Sequence, residues 1–229
     1  MFIPLHDGVK LLFVRRPFST LALMVINFSL FVYTSLFAVA PGEGVNLSFG
    51  LIPAVLTGHA TLDPQLQIVP AFITPLTSIF LHAGFWHFAA NMLFLWVFGD
   101  NVEDAMGSMR FLVFYLACGI VAGLGYVLIA PQSQSHLIGA SGAVSGVASA
   151  YVLLYPRARI VGLLLNWIPL AIPALLAIGM WVAFQIVAAL ISADTSVGWW
   201  AHVGGIVAGA LLLPLMKRRE VPLFGARTS

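Results

Sequence analysis

Residues 81–100 read LHAGFWHFAANMLFLWVFGD. From Leu81 to Phe98 no side chain is charged. That is close to the length of apolar chain a helix needs to cross the hydrocarbon of a bilayer. Yet His82, His87 and Asn91 lie inside it. Polar groups at that depth are expensive unless they are partnered or functional. The stretch therefore decides two things at once: lipid is the solvent of this chain, and polar groups are held within that solvent.

The rest of the composition agrees. The chain has 229 residues, is 61% hydrophobic and 8% charged, with a mean hydropathy of +1.02. Soluble domains carry about a quarter charged residues, and a chain of this length has no core large enough to hide so much apolar surface. The net charge of +2 comes without a basic block, so no nucleic-acid partner is expected. The single cysteine, Cys118, lies in an apolar run, which excludes a disulfide framework and a thiolate cluster. No HExxH pair is present, and neither a metal nor an organic cofactor is expected.

Six segments have spanning character: Thr20–Ala40, Leu81–Phe98, Phe111–Ala130, Ile138–Tyr155, a run within Val161–Ile191, and Trp199–Met216. In the fifth, Pro169 and Pro173 make "VGLLLNWIP" an interfacial lead-in, with the helix starting near Ile172. The apolar but Pro- and Gly-broken loop from Pro41 to Phe80 reads as a segment lying in the membrane surface. The first span follows Arg15 and Arg16 and ends in "AVA", like a signal peptide, but its length argues for an uncleaved helix. With six spans, all ten Lys and Arg residues fall on one side. The positive-inside rule then makes both termini cytoplasmic. The expected architecture is an all-α, six-helix membrane bundle over residues 20–216. A cytoplasmic segment of residues 1–19 precedes it, and a basic tail of residues 217–229 follows.

Depth brings some of the polar residues together. The second, fourth and sixth spans all run inward. His87, Asn91, Ser141 and His202 lie in the first halves of these spans, so they share the external half of the membrane. His87 and Asn91 are four apart and share a helix face, whereas His82 and His87, five apart, should turn away from each other. Two rows of small residues, Gly142/Gly146/Ala150 and Ala201/Gly205/Gly209, would let the fourth and sixth helices reach backbone contact. That contact brings Ser141 to His202. A serine needs a base to become a nucleophile, and attack on an amide needs donors aimed at the oxyanion. His87, Asn91 and the unpaired backbone N–H of a helix-opening Ser141 are of the right type. The bland alternative is that a lone intramembrane serine bonds back to its own helix. Asn27, Asn166, Gln185, Ser145 and Ser149 read as interhelical glue. Asp194, in an external loop, is a further candidate to orient His202.

"HAGFWHFAANMLFLWVFGD", "GASG" and "AHVGGIVAG" together resemble the motifs of the rhomboid intramembrane serine proteases, in order and on the expected helices. The resemblance implies a six-helix bundle with a Ser–His dyad. Ser141 would be the nucleophile and His202 the base. His87, Asn91 and the Ser141 backbone would form the oxyanion hole, and Gly139 would fix the turn before the serine. Gly142, Gly205 and Gly209 would support the motifs, and Gly99, Glu103 and Gly107 would form a structural pattern at the inner end of the second helix. The implied substrates are transmembrane helices of other proteins, entering from lipid. Entry is expected between helices two and five, with Trp181 and Phe184 as gate candidates. The expected location is a bacterial inner membrane, with the site toward the external side. Two features depart from the family pattern. Ser145 stands where many members keep an aromatic that stacks on the histidine, and loop one lacks a Trp-Arg pair. The competing reading is a non-catalytic member that binds transmembrane helices. A transporter is disfavoured by the uncharged spans.

Overall fold

The computed structural model describes residues 2–36, 43–164, 167–192 and 198–225. Most of them are helical. The long helices are α1 (Phe18–Leu36), α5 (Phe85–Met106), α6 (Ser108–Ile129), α7 (Ser141–Leu154), α8 (Ala174–Ile191) and α9 (Trp199–Met216). Short helices α2 (Glu43–Phe49), α3 (Pro53–Leu56) and α4 (Thr74–Thr77) lie in the first long connection. Four helices, α1, α6, α8 and α9, are long and apolar enough to cross a bilayer alone. A fifth span arises if the segment Ala71–Phe80 and α5, bent by 79°, are counted together.

The sixth expected span is the exception. At 14 residues and 1.5 Å per residue, α7 is only about 21 Å long, short of the roughly 30 Å hydrocarbon. It is instead the buried centre of the bundle: all of its residues except Ser141, Val152 and Leu153 are buried. It packs against α5, α6 and α9. Glycine makes this possible. A Cβ on Gly205 would collide with the carbonyl oxygen of Gly142, and one on Gly209 with that of Gly146. On the other side of α7, a Cβ on Gly142 would reach 2.5 Å from the Ala122 Cβ, and one on Gly146 2.6 Å from the Cys118 Sγ. Lipid offers no hydrophobic drive between helices, so close van der Waals packing of this kind holds a bundle together.

The all-α expectation needs a correction. Strands β1 (Phe2–His6), β2 (Arg159–Leu164) and β3 (Ile168–Pro173) form an antiparallel sheet in the order β1-β2-β3. The interfacial lead-in is therefore a hairpin, in which Pro173 pairs with Arg159 and Leu164 with Ile168. Helix α8 starts at Ala174, just past the second proline, rather than near Ile172. Pro169 and Pro173 cannot donate to a helix interior, and both are tolerated on an edge strand.

Helix α5 also runs past its expected end at Phe98, carrying Glu103 and Asp104 into the fully buried inner end. Backbone N–H groups meet these carboxylates. Asp104 accepts from Leu12, Phe13 and Val14 at 2.6–3.1 Å. Glu103 accepts from the Ser19 and Thr20 amides at 3.0 and 2.8 Å, satisfying the free donors at the start of α1. Nearby, Asp7 accepts from Asn101 and from the Tyr151 hydroxyl, both at 2.7 Å. Burial raises its carboxyl above the ordinary carboxylate range, against the Tyr151 hydrogen bond, which lowers it. After α9, the Arg218 amide donates to the Ala105 carbonyl and the Phe224 amide to that of Leu153. Both terminal segments thus dock on the same end of the bundle.

At the opposite end, the "FGLIPA" part of loop one is anchored rather than free. Leu51 pairs with Leu137 as an isolated bridge, and the Ala54 amide donates to Ser133. Leu51, Ile52 and Ala54 are buried.

Candidate active site

Ser141 is the first residue of α7. The chain enters it through Gly139, whose φ of +129° favours glycine. The Gly139 amide donates to the Ser78 carbonyl at 2.9 Å, tying the entry to the segment before α5. A Cβ at Gly139 would lie 2.6 Å from the His87 Cε1 and 2.7 Å from its Nε2. The imidazole of His87 thus occupies the space that the missing side chain leaves, directly beside the serine turn.

The glycine contacts between α7 and α9 bring His202 onto Ser141. Its Nε2 is 2.9 Å from the Ser141 Oγ. Its Nδ1 is 2.8 Å from Oε1 of Gln185 on α8. The Trp199 ring stands edge-on to the imidazole, with centroids 5.9 Å apart at 89°. Asn91 is buried, and its amide donates back to the His87 carbonyl at 2.9 Å, leaving its second N–H available.

These groups open into one cavity of about 440 Å³, lined among others by His87, Asn91, Ser141, Trp181, Gln185 and His202. Exposed His136, from the connection between α6 and α7, stands at its rim. Because α7 is short, this connection reaches down into the bundle rather than ending at the surface. The arrangement offers a hydroxyl on an imidazole, polar donors beside it and room for a chain segment. A neutral imidazole so placed can take a proton from the hydroxyl.

Residues 70–219 match the Rhomboid domain. The chain belongs to the rhomboid family. It is 32% identical over 156 residues to the mitochondrial Rhomboid protein 1 of Saccharomyces cerevisiae, covering 64% of this chain and 42% of that protein. It is 34% identical over 152 residues to Rhomboid protease GluP of Bacillus subtilis, covering 66% of this chain and 27% of that protein. The human mitochondrial presenilin-associated rhomboid-like protein is 30% identical over 144 residues, covering 58% and 35% respectively. The chain thus spans less than half the length of these relatives. As a rhomboid it is a multi-pass membrane protein, with the bilayer as its solvent.

Within this rhomboid fold, the four polar residues singled out for depth do converge. The gate candidates divide. Trp181 lines the cavity and packs on Phe94 of α5, with ring centroids 5.6 Å apart. Phe184 instead meets Trp199 of α9 at 5.7 Å and is largely exposed. The expectation that His82 and His87 turn away from each other is wrong. His82 precedes α5, which starts at Phe85, so helical rotation does not apply to it. The two rings meet edge to face at 5.3 Å. Ser145 is not a bridge between helices: its hydroxyl donates to the Ser141 carbonyl of its own helix at 2.6 Å. Asp194 and Asn166 lie outside the described residues. Gln185, read as interhelical glue, does cross between helices, but its partner is His202. One signal marked it: it is the lone amide in α8, a helix otherwise built of apolar residues and glycine.

Proposed function

We propose that this rhomboid is an intramembrane serine endopeptidase that cleaves peptide bonds in or near the transmembrane helices of other membrane proteins. The observation that carries the reading is the 2.9 Å approach of the His202 Nε2 to the Ser141 Oγ inside a cavity of about 440 Å³. His202 takes the hydroxyl proton as the Ser141 Oγ attacks the scissile carbonyl. The tetrahedral oxyanion is met by the Ser141 backbone N–H, the free Asn91 N–H and the His87 ring. His202 then gives its proton to the leaving amine, and repeats both steps with water to release the acyl group. Gly139 shapes the serine turn, while Gly142, Gly205 and Gly209 keep α7 and α9 in contact. No metal or cofactor takes part.

In this reading all six long helices traverse the membrane. Both termini face the cytoplasm, and the site opens toward the external side, as in a bacterial inner membrane. Residues 20–216 are the protease unit. The short α7 and the polar connection before it let water reach the serine without crossing hydrocarbon. Substrate helices enter sideways between α5 and α8, past Trp181, with Phe184 beside that path.

The test is reconstitution in liposomes with a panel of labelled transmembrane substrates, alongside Ser141→Ala and His202→Ala. The wild type should cut at least one substrate, and both variants should be inactive. A wild type that cuts nothing, or a variant that cuts as well as the wild type, would leave a helix-binding rhomboid without protease activity as the correct reading.

A further inference from the structure

We propose that Gln185 is a positioning residue for His202, so that the site works through a hydrogen-bonded relay from Ser141 to His202 to Gln185 rather than through a dyad alone. The proposal rests on the protease reading above. The two nitrogens of a neutral imidazole have opposite roles, one donating and one accepting, and the partner of one decides the state of the other. Here the Nδ1 faces the Gln185 Oε1 at 2.8 Å, and an amide oxygen can only accept. The ring proton therefore sits on Nδ1. The lone pair is left on Nε2, facing the Ser141 hydroxyl at 2.9 Å. That is the tautomer a general base needs. With the other tautomer, Nε2–H would point at the hydroxyl and no base would face it.

The surroundings make Gln185 the anchor of that geometry. The buried residues of α8 are Ala174, Ile178, Gln185 and Ala188, a single stripe turned toward the bundle. Gln185 is its one polar member and is 4% exposed. On α7, the small Ser145 bonds back to the Ser141 carbonyl and does not reach the imidazole. Orientation of the ring therefore falls to Gln185 on Nδ1 and to Trp199 against the ring. An amide serves here with a further advantage. It fixes the tautomer without placing a carboxylate at membrane depth, where an ionised group is costly.

The full chain is used for the test, as wild type, Gln185→Leu, Gln185→Glu and, as the inactive blank, Ser141→Ala. In liposomes with a cleaved transmembrane substrate, Gln185→Leu should lower kcat by about 100-fold, the scale on which loss of an orienting partner acts. KM should stay within roughly threefold, because substrate binding is untouched. Gln185→Glu retains the acceptor and should recover most of the lost kcat. Independently of turnover, ¹⁵N spectra of the detergent-solubilised protein, with His202 assigned by its loss in His202→Asn, should show the proton on Nδ1 in the wild type. In Gln185→Leu it should redistribute toward Nε2. The proposal is overturned if His202 carries its proton on Nε2 in the wild type, or if Gln185→Leu cuts at the wild-type rate. It is also overturned if Gln185→Glu is as slow as Gln185→Leu at equal thermal stability. If the wild type cuts nothing, the protease reading falls by itself, and the tautomer measurement still decides the role of Gln185.

Discussion

At the scale of single residues, the site depends as much on what is missing as on what is present. Gly139 has no side chain, and the His87 imidazole fills the vacated space. Its φ of +129° also lies where a Cβ is strained. Gly139→Ala should therefore displace His87 and distort the serine turn together. In the proposed mechanism this removes an oxyanion donor, and kcat in the liposome assay should drop by about 100-fold. A Gly139→Ala protein cutting at the wild-type rate would show that His87 is not held by this turn. Ser145 illustrates the converse. Its substitution for an aromatic looked like a defect in histidine orientation. In the folded protein the orienting groups come from α8 and α9 instead, through Gln185 and Trp199.

At the scale of elements, α7 and α9 act as a pair. The carbonyls of Gly142 and Gly146 lie where Cβ atoms on Gly205 and Gly209 would be, so both rows must stay bare. Gly205→Ala has no flexible side-chain tip to move aside, only backbone. It should separate the helices, lengthen the His202–Ser141 contact and cost about 1–3 kcal/mol, the usual scale of overpacking. A lower unfolding temperature in detergent together with lost cleavage is the expected result. Unchanged stability would mean that the contact is looser than the glycine geometry requires. The inner end of α5 has a different logic. Glu103 and Asp104 are buried, yet each collects backbone N–H groups from the N-terminal segment and the start of α1. Charge-assisted hydrogen bonds of this kind are roughly twice as strong as neutral ones. They join α1 to α5 at a point where apolar packing alone would let it slide.

At the scale of the whole molecule, the asymmetry between the two ends organises the protein. One end is closed by the sheet, the N-terminal segment and the segment after α9. The other carries the cavity, loop one and the α6–α7 connection. The proposed orientation puts the closed end in the cytoplasm and can be read by labelling. Gln134→Cys, on the exposed connection before α7, should react with a membrane-impermeant maleimide in intact cells. Glu220→Cys, after α9, should react only after lysis. Native Cys118 is fully buried and should stay silent in both. The reverse pattern of labelling would invert the topology.

Much of this was legible from the chain alone. Composition and run length were enough to name lipid as the solvent, because no soluble fold hides so much apolar surface. Depth along inward-running spans brought Ser141, His202, His87 and Asn91 to one level, and the glycine rows marked α7 and α9 as the helices in contact. These are local or one-dimensional properties: span length, position within a span and spacing on a helix face. What they do not contain is pairing between segments far apart in sequence. The sheet joins β1 to β2 across more than half the chain, so neither strand announces its partner. The closeness of His82 to His87 depended on where α5 actually starts. Gln185 differs from structural amides elsewhere in the membrane only in what stands opposite it. Which acceptor meets the Nδ1 of His202 is set by how α8 leans on α9, and only the packed bundle decides that.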